Sequence, residues 1–176
     1  MPETSSAISP QHEALIASAI GRSGRRLRLQ RGLDFAVFSI IPVSAALLIV
    51  MLAFKRRWLE ADDLVLIAGA SAGGVVFLSF MLGFLWRIPT ITAARALDAG
   101  ANLHDRLGSA YDFEKVPAGE RSAFMNAAIR DAARAADGLR VGRFVKLSRP
   151  HDLTMALVLM GAVVLFGILR IPFGLD

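Results

Sequence analysis

The sequence predicts an all-α integral membrane protein with three transmembrane helices and a cytoplasmic helical insertion between spans 2 and 3. Three observations predict it. Hydrophobic residues make up 55% of the chain and mean hydropathy is +0.52, high for a soluble protein. The apolar residues collect in three blocks, 35–54, 64–86 and 153–169. Each meets the length a helix needs to cross a bilayer core, roughly 17–25 residues. None of the blocks carries the polar stripe expected of a buried helix in a soluble bundle.

The chain lacks cysteine, so a disulfide framework and a thiolate metal site are excluded. Net charge is +5 and the pI is about 10.7. The positive residues are scattered and lack interleaved aromatics, so the basic balance reports orientation and anionic lipid and not nucleic acid.

Residues 1–32 form a basic N-terminal segment, partly helical. Ser9 and Pro10 supply an N-cap and a first helical position, and Leu15, Ile16, Ala19 and Ile20 then share one face. Gly21 and Gly24 weaken this helix. The run Arg22, Arg25, Arg26, Arg28 and Arg31 reads as a charged flank that orients the first span, or as an interfacial helix on anionic headgroups. A 20-residue apolar block followed by Lys55-Arg56-Arg57 is unlike a cleaved signal peptide, so the first span is expected to stay in the protein.

Residues 33–86 read as a transmembrane hairpin with spans of about 35–54 and 64–86. Pro42 lies within the first span and frees a backbone carbonyl, with Ser39 one turn earlier placed to help. The connector Lys55–Asp63 is short, and its Trp58 suits an interface. In the second span Gly69, Gly73 and Gly74 make a small-residue patch, a candidate helix-packing seam. The patch can pack against the first span of the same chain or join two copies.

Residues 87–150 read as a cytoplasmic helical domain. Ile88-Pro89 ends the second span. A helix capped by Thr90 or Thr92 carries Ile91, Ala94 and Leu97 and stops at Gly100. A second begins at Asn102 with Asp105 three residues on, as in a capping box, and carries Leu103, Leu107, Ala110 and Tyr111. Val116 to Gly119 is a turn. Glu120 to Asp137 is an alanine-rich helix with Phe124, Met125, Ala128, Ile129, Ala132, Ala133 and Ala136 on its apolar face, closed by Gly138. Leu139 to Leu147 reads as extended or irregular. Residues 151–176 hold the third span, about 153–169, and a short extracytoplasmic tail.

Three spans place the N-terminus and 87–150 on one side, which carries 16 of the Lys and Arg residues against 4 on the other. The positive-inside rule makes that side cytoplasmic and the C-terminus extracytoplasmic.

No catalytic, cofactor or metal site is expected. His12, His104 and His151 each lack a second ligand one helical turn away, Ser109 and Ser122 stand in no motif, and P-loop, GxGxxG and HExxH patterns are absent. The apolar blocks hold no ionisable residue at mid-depth, which weakens a transporter reading.

Pro89-Thr90, the run Ala93-Ala94-Arg95-Ala96-Leu97-Asp98, the run Leu103-His104-Asp105-Arg106-Leu107 and Ala127 to Ala132 carry a resemblance. Over roughly residues 14–170 the chain resembles an uncharacterised bacterial inner-membrane protein family that carries a domain of unknown function. Members have a two-span hairpin, a cytoplasmic AARxLD…DRLxxA helical element and a third span. The resemblance implies a bacterial inner-membrane location and transfers no catalytic residue. Longer members continue beyond the third span into a large extracytoplasmic region, whose role does not carry over.

The expected function is a non-catalytic scaffold or accessory subunit whose cytoplasmic insertion binds a protein partner, with Leu103, Asp105, Arg106 and Leu107 facing that partner. The alternative is a self-assembling membrane protein, joined through the glycine patch of span 2 and able to form a pore. A lipid-directed enzyme using His104 or Asp105 is a third and weaker reading.

Overall fold

A computed structural model describes residues 10–55 and 62–168. It is all-α, with no strand among the described residues. The helices are α1 (Pro10–Lys55), α2 (Asp62–Leu85), α3 (Thr90–Ala101), α4 (Arg106–Glu114), α5 (Ala123–Ala136), the single turn α6 (Val141–Phe144) and α7 (Leu153–Ile168). A 3-10 turn, Ala118–Glu120, joins α4 to α5. Ser9, the Trp58 connector and the tail beyond Ile168 lie outside the described residues.

Of the basic N-terminal segment, the described residues are helical throughout. Pro10 opens a 46-residue helix that runs unbroken into the first apolar block. Gly21 and Gly24 do not interrupt it, because the flanking residues are packed. Ile16, Ala19, Ile20 and Ser23 are buried. Burial of one face outweighs the roughly 1 kcal/mol by which each glycine disfavours a helix.

The fold divides into two compact units. Among the described residues, one comprises the chain up to Leu27 together with Arg87–Leu147, and the other comprises Arg28–Trp86 with the chain from Ser148. The face of α1 that carries Ile16, Ala19 and Ile20 therefore belongs to the core of a helical unit. Those residues pack with Ala93, Ala94 and Leu97 of α3, Leu107 and Ala110 of α4, and Ile129, Ala132, Ala133 and Ala136 of α5. Alanine at so many of these positions lets helices approach closely. Ser23 Oγ donates to the Ala93 carbonyl at 2.9 Å, which satisfies a buried hydroxyl.

Several boundaries differ from the sequence reading. Gly100 does not stop α3, which continues to Ala101 and ends at left-handed Asn102. Gly100 serves close approach instead, since a Cβ there would lie 2.6 Å from the Phe144 carbonyl oxygen. No threonine caps α3; Pro89 precedes it without a side-chain cap. The α5 helix starts at Ala123, and Ser122, which stands in no motif, caps it by accepting from Met125 N–H at 3.2 Å. Within 139–147, α6 forms a helical turn where the weak alternation suggested extended chain. Gly138 ends α5 as expected, with φ of +70°.

In the second unit, α1 and α2 are the two helices long and apolar enough to cross a membrane, the latter over Ile67–Leu85. α7 is apolar but shorter, with 16 residues. Close approach of α1 and α2 occurs at Gly32 and Gly83 and not at the predicted patch. A Cβ on Gly83 would sit 2.8 Å from the Arg31 carbonyl oxygen and 3.0 Å from Gly32 Cα, and one on Gly32 would meet the Phe80 ring at 2.9 Å. Beside this crossing the Arg31 guanidinium lies 5.4 Å from the centroid of the Trp86 ring. Pro42 is accommodated inside α1. The Ser39 hydroxyl donates to the Ala36 carbonyl at 2.8 Å, and so is spent on its own preceding turn and not on the carbonyl that Pro42 frees.

Candidate partner-docking surface

The turn between α3 and α4 is built around one carboxylate. Asp98, on the last full turn of α3, is 4% exposed. Its Oδ1 accepts from Leu107 N–H at 3.0 Å and its Oδ2 from Gly108 N–H at 2.8 Å. These are donors of the first turn of α4, which have no intrahelical partner. The carboxylate also lies at the positive end of the α4 dipole. Burial pushes the Asp98 carboxyl up, the two N–H donors oppose this, and Asp105 adds a further upward push.

Asp98 thus performs the capping that the sequence pattern gives to Asn102 and Asp105. Asn102 terminates α3 instead, donating its backbone N–H to the Asp98 carbonyl. Asp105 directly precedes α4 and makes no side-chain cap bond. Asn102, His104 and Asp105 all hold positive φ, of 54°, 53° and 61°. Left-handed backbone costs an L-residue roughly 1–2 kcal/mol, so this turn is held by its surroundings. A Cβ on Gly108 would displace the Asp105 carboxylate from its place beside the start of α4.

The four residues expected to face a partner separate into two kinds. Leu107 is a correction: it is 0% exposed and belongs to the unit's core, since the first turn of α4 points its apolar side chain inward. Leu103 is half-buried and packs against the same core. Asp105 and Arg106 are exposed. Arg106 Nε pairs with Asp131 of α5 at 3.5 Å, with both side chains about half exposed.

The outer side of the α4–α5 pair supplies a feature that residue type alone did not reveal. Arg106 meets Asp131 and Phe113 meets Phe124, so α4 and α5 run antiparallel. The two phenylalanine rings pack edge to face at 6.1 Å. Phe124 is 73% exposed, although helical periodicity assigns it to the buried face of α5. It lies on the first turn of α5, where the periodic stripe runs past the end of the core formed by Ile129, Ala132, Ala133 and Ala136.

At the same end, Arg121 clamps three segments. Its Nε donates to the Val116 carbonyl and one Nη to the Glu114 carbonyl, both at 2.8 Å, while the other Nη pairs with Glu13 of α1 at 2.9 Å. The Arg121 side chain is 8% exposed. Glu114 Oε1 is buried without a hydrogen-bond partner. Its carboxyl is pushed up to about 7, by burial first and then by the Glu13 charge, against the pull of Arg121.

In the second unit, Gly69, Gly73 and Gly74 of α2 are exposed, and a Cβ on any of them would meet nothing within 4 Å. Gly69 and Gly73 border an apolar cleft of about 570 Å³, lined also by Ile40, Val43 and Ser44 of α1 and Met160 of α7. The patch is therefore open and is not the seam between α1 and α2.

Among the described residues, no group of three or more His, Asp or Glu side chains is placed to hold a metal ion. Compared with protein-family models, curated proteins and solved structures, the chain matches none.

Proposed function

We propose that the chain is a three-span protein of the bacterial inner membrane, with its N-terminus and residues 87–150 cytoplasmic and its C-terminus outside. In this reading it is a non-catalytic scaffold or accessory subunit, and its cytoplasmic helical unit binds a protein partner. Support for the membrane comes from α2 and the later part of α1, where Phe38, Ile49, Phe77, Leu78 and Leu82 are all exposed. Apolar faces of that extent require lipid or protein cover. The α7 residues Leu157, Val158 and Leu165 are exposed in the same manner, which supports a third span.

The observation that carries the partner reading is Phe124. A solvent-facing aromatic that rests on Phe113 and stands on a well-packed helix pair has the form of an interface anchor. The charged pair Arg106–Asp131 joins the same two helices, exposed Asp105 directly precedes the first of them, and these charges provide a polar margin.

A second reading is self-assembly through span 2, favoured by the open space over Gly69, Gly73 and Gly74. The native mass and composition of the protein, gently extracted from its own membrane, separate the two. A subunit emerges with other polypeptides in fixed ratio, Phe124→Glu strips them, and Gly73→Leu leaves them bound. A self-assembling protein emerges alone as a defined homo-oligomer that Gly73→Leu breaks and Phe124→Glu does not. Recovery of a lone monomer under all extraction conditions would remove both readings.

A further inference from the structure

The helical unit contains a second surface feature, on the opposite sequence flank of α5, that the partner reading does not use. A groove of about 640 Å³ lies between α1 and the segment that links α5 to α6. From α1 it is lined by Arg22, Arg25 and Arg26, and from the linking segment by Asp137, Gly138 and Arg140. The spacing i, i+3 and i+4 puts the three α1 arginines on one helix face.

The four guanidinium groups are not equivalent. Arg26 is structural: one Nη donates to the Gly142 carbonyl at 3.2 Å and to the Val145 carbonyl at 3.1 Å. The guanidinium packs directly over Gly142, where a Cβ would lie 2.5 Å from an Arg26 nitrogen and push it aside. Arg26 therefore holds α6 against α1 and fixes one wall of the groove. The side chains of Arg22, Arg25 and Arg140 are exposed and, among the described residues, have no hydrogen-bond or ion-pair partner. Asp137 and the C-terminal carbonyls of α5 place negative potential in the same groove. One carboxylate and a partial helix charge do not neutralise four guanidinium groups, so cationic charge remains in excess.

We propose that this groove binds a phosphate-class oxyanion, held by Arg22, Arg25 and Arg140 against the wall that Arg26 fixes. A guanidinium presents paired N–H donors that match two oxygens of one tetrahedral phosphate. Three such groups with no partner of their own line one groove from two elements that Arg26 ties together. Two sources carry this chemistry: the headgroup of an anionic phospholipid and a soluble phosphate. In sequence Arg25 stands ten residues before Phe35, where the first apolar block begins, which favours the headgroup. The proposal stands apart from the partner reading, since it uses none of its residues.

The test uses the full chain in a zwitterionic detergent. Native mass spectrometry counts bound phosphatidylglycerol added at low stoichiometry, and calorimetric titration with inorganic pyrophosphate measures the soluble class. The triple variant Arg22→Gln, Arg25→Gln, Arg140→Gln is compared with a charge-matched control, Arg95→Gln, Arg143→Gln, Lys146→Gln, whose exposed residues lie outside the groove. Arg26 is left intact so that the fold is kept, and helical circular dichroism checks this.

The expected result is at least tenfold weaker binding in the groove variant and near-native binding in the control. Loss of phosphatidylglycerol binding in the groove variant assigns the headgroup, and loss of pyrophosphate binding assigns a soluble phosphate; either supports the site. Equal losses in the two variants would reduce the effect to unspecific charge and overturn the proposal. Binding of neither probe by the native chain would also overturn it.

Discussion

At the residue scale, Asp98, which is buried, and Glu114, which is half-buried, are two carboxyls with opposite consequences. Asp98 is satisfied by two N–H donors, and removing it would strand both at a helix start. Asp98→Ala should therefore destabilise the helical unit by about 2–3 kcal/mol, combining a lost cap with buried unpaired donors. Asp98→Asn, which keeps one acceptor, should cost less. Thermal unfolding followed by circular dichroism checks the order, and equal stability of the native chain and the alanine variant would refute the capping role. Glu114 instead is desolvated without a hydrogen-bond partner for Oε1. Its folded-state value lies above the ordinary one, so the protonated form is the one that suits the fold. The contribution is full below about 4.5 and is lost as pH rises through about 7. Glu13 and Arg121 are the charges that face it and set the balance. Stability should decline across that window in the native chain and decline less in Glu114→Gln. Parallel pH profiles for the two proteins would show that Glu114 is not the titrating group.

At the scale of elements, the glycines of the apolar helices show what a sequence pattern can and cannot convey. The GxxxG spacing of Gly69 and Gly73 draws attention because the motif is local. The actual seam pairs Gly32 with Gly83, which stand far apart in sequence and follow no spacing rule. Close approach is a property of two helices together, so one helix read alone does not reveal it. Gly83→Leu should force α1 and α2 apart at Arg31 and Gly32. It should lower the unfolding temperature far more than Gly73→Leu, which enters open space. Comparable losses in the two variants, measured in the same detergent, would place the seam elsewhere. Similar reasoning applies to α4. The amphipathic pattern of Leu103, Leu107 and Ala110 was legible, and all three do contact the core. That the capping carboxylate would come from α3, nine residues before Leu107, was not legible, because capping rules look only at neighbours in sequence. Phe124 escaped for a related reason: periodicity places a residue on a face but does not say where the core beneath that face ends.

At the scale of the whole molecule, the reading rests on α7. The helical class and the two long apolar helices were plain from composition and block length, but α7 carries only 16 residues. At 1.5 Å per residue, that length covers about 24 Å of a hydrocarbon core roughly 30 Å thick. A short span is accommodated by local thinning of the bilayer and by flanking residues that reach the interface, and the apolar block itself continues to Leu169. Whether α7 crosses decides the topology, because an odd number of spans separates residues 87–150 from the C-terminus. The absence of native cysteine makes the test direct. Single variants Ala127→Cys, on the exposed side of α5, and Gly174→Cys, after the third apolar block, are labelled with a membrane-impermeant maleimide in intact cells and in inverted vesicles. The 16 to 4 distribution of Lys and Arg predicts labelling of Ala127→Cys only in inverted vesicles and of Gly174→Cys only in intact cells. Labelling of both sites from the same side would make α7 a helix that does not cross, and would reduce the protein to a two-span hairpin with both termini on one face. Labelling of Ala127→Cys from outside would reverse the orientation, and with it the compartment in which any partner of the α4–α5 surface has to be sought.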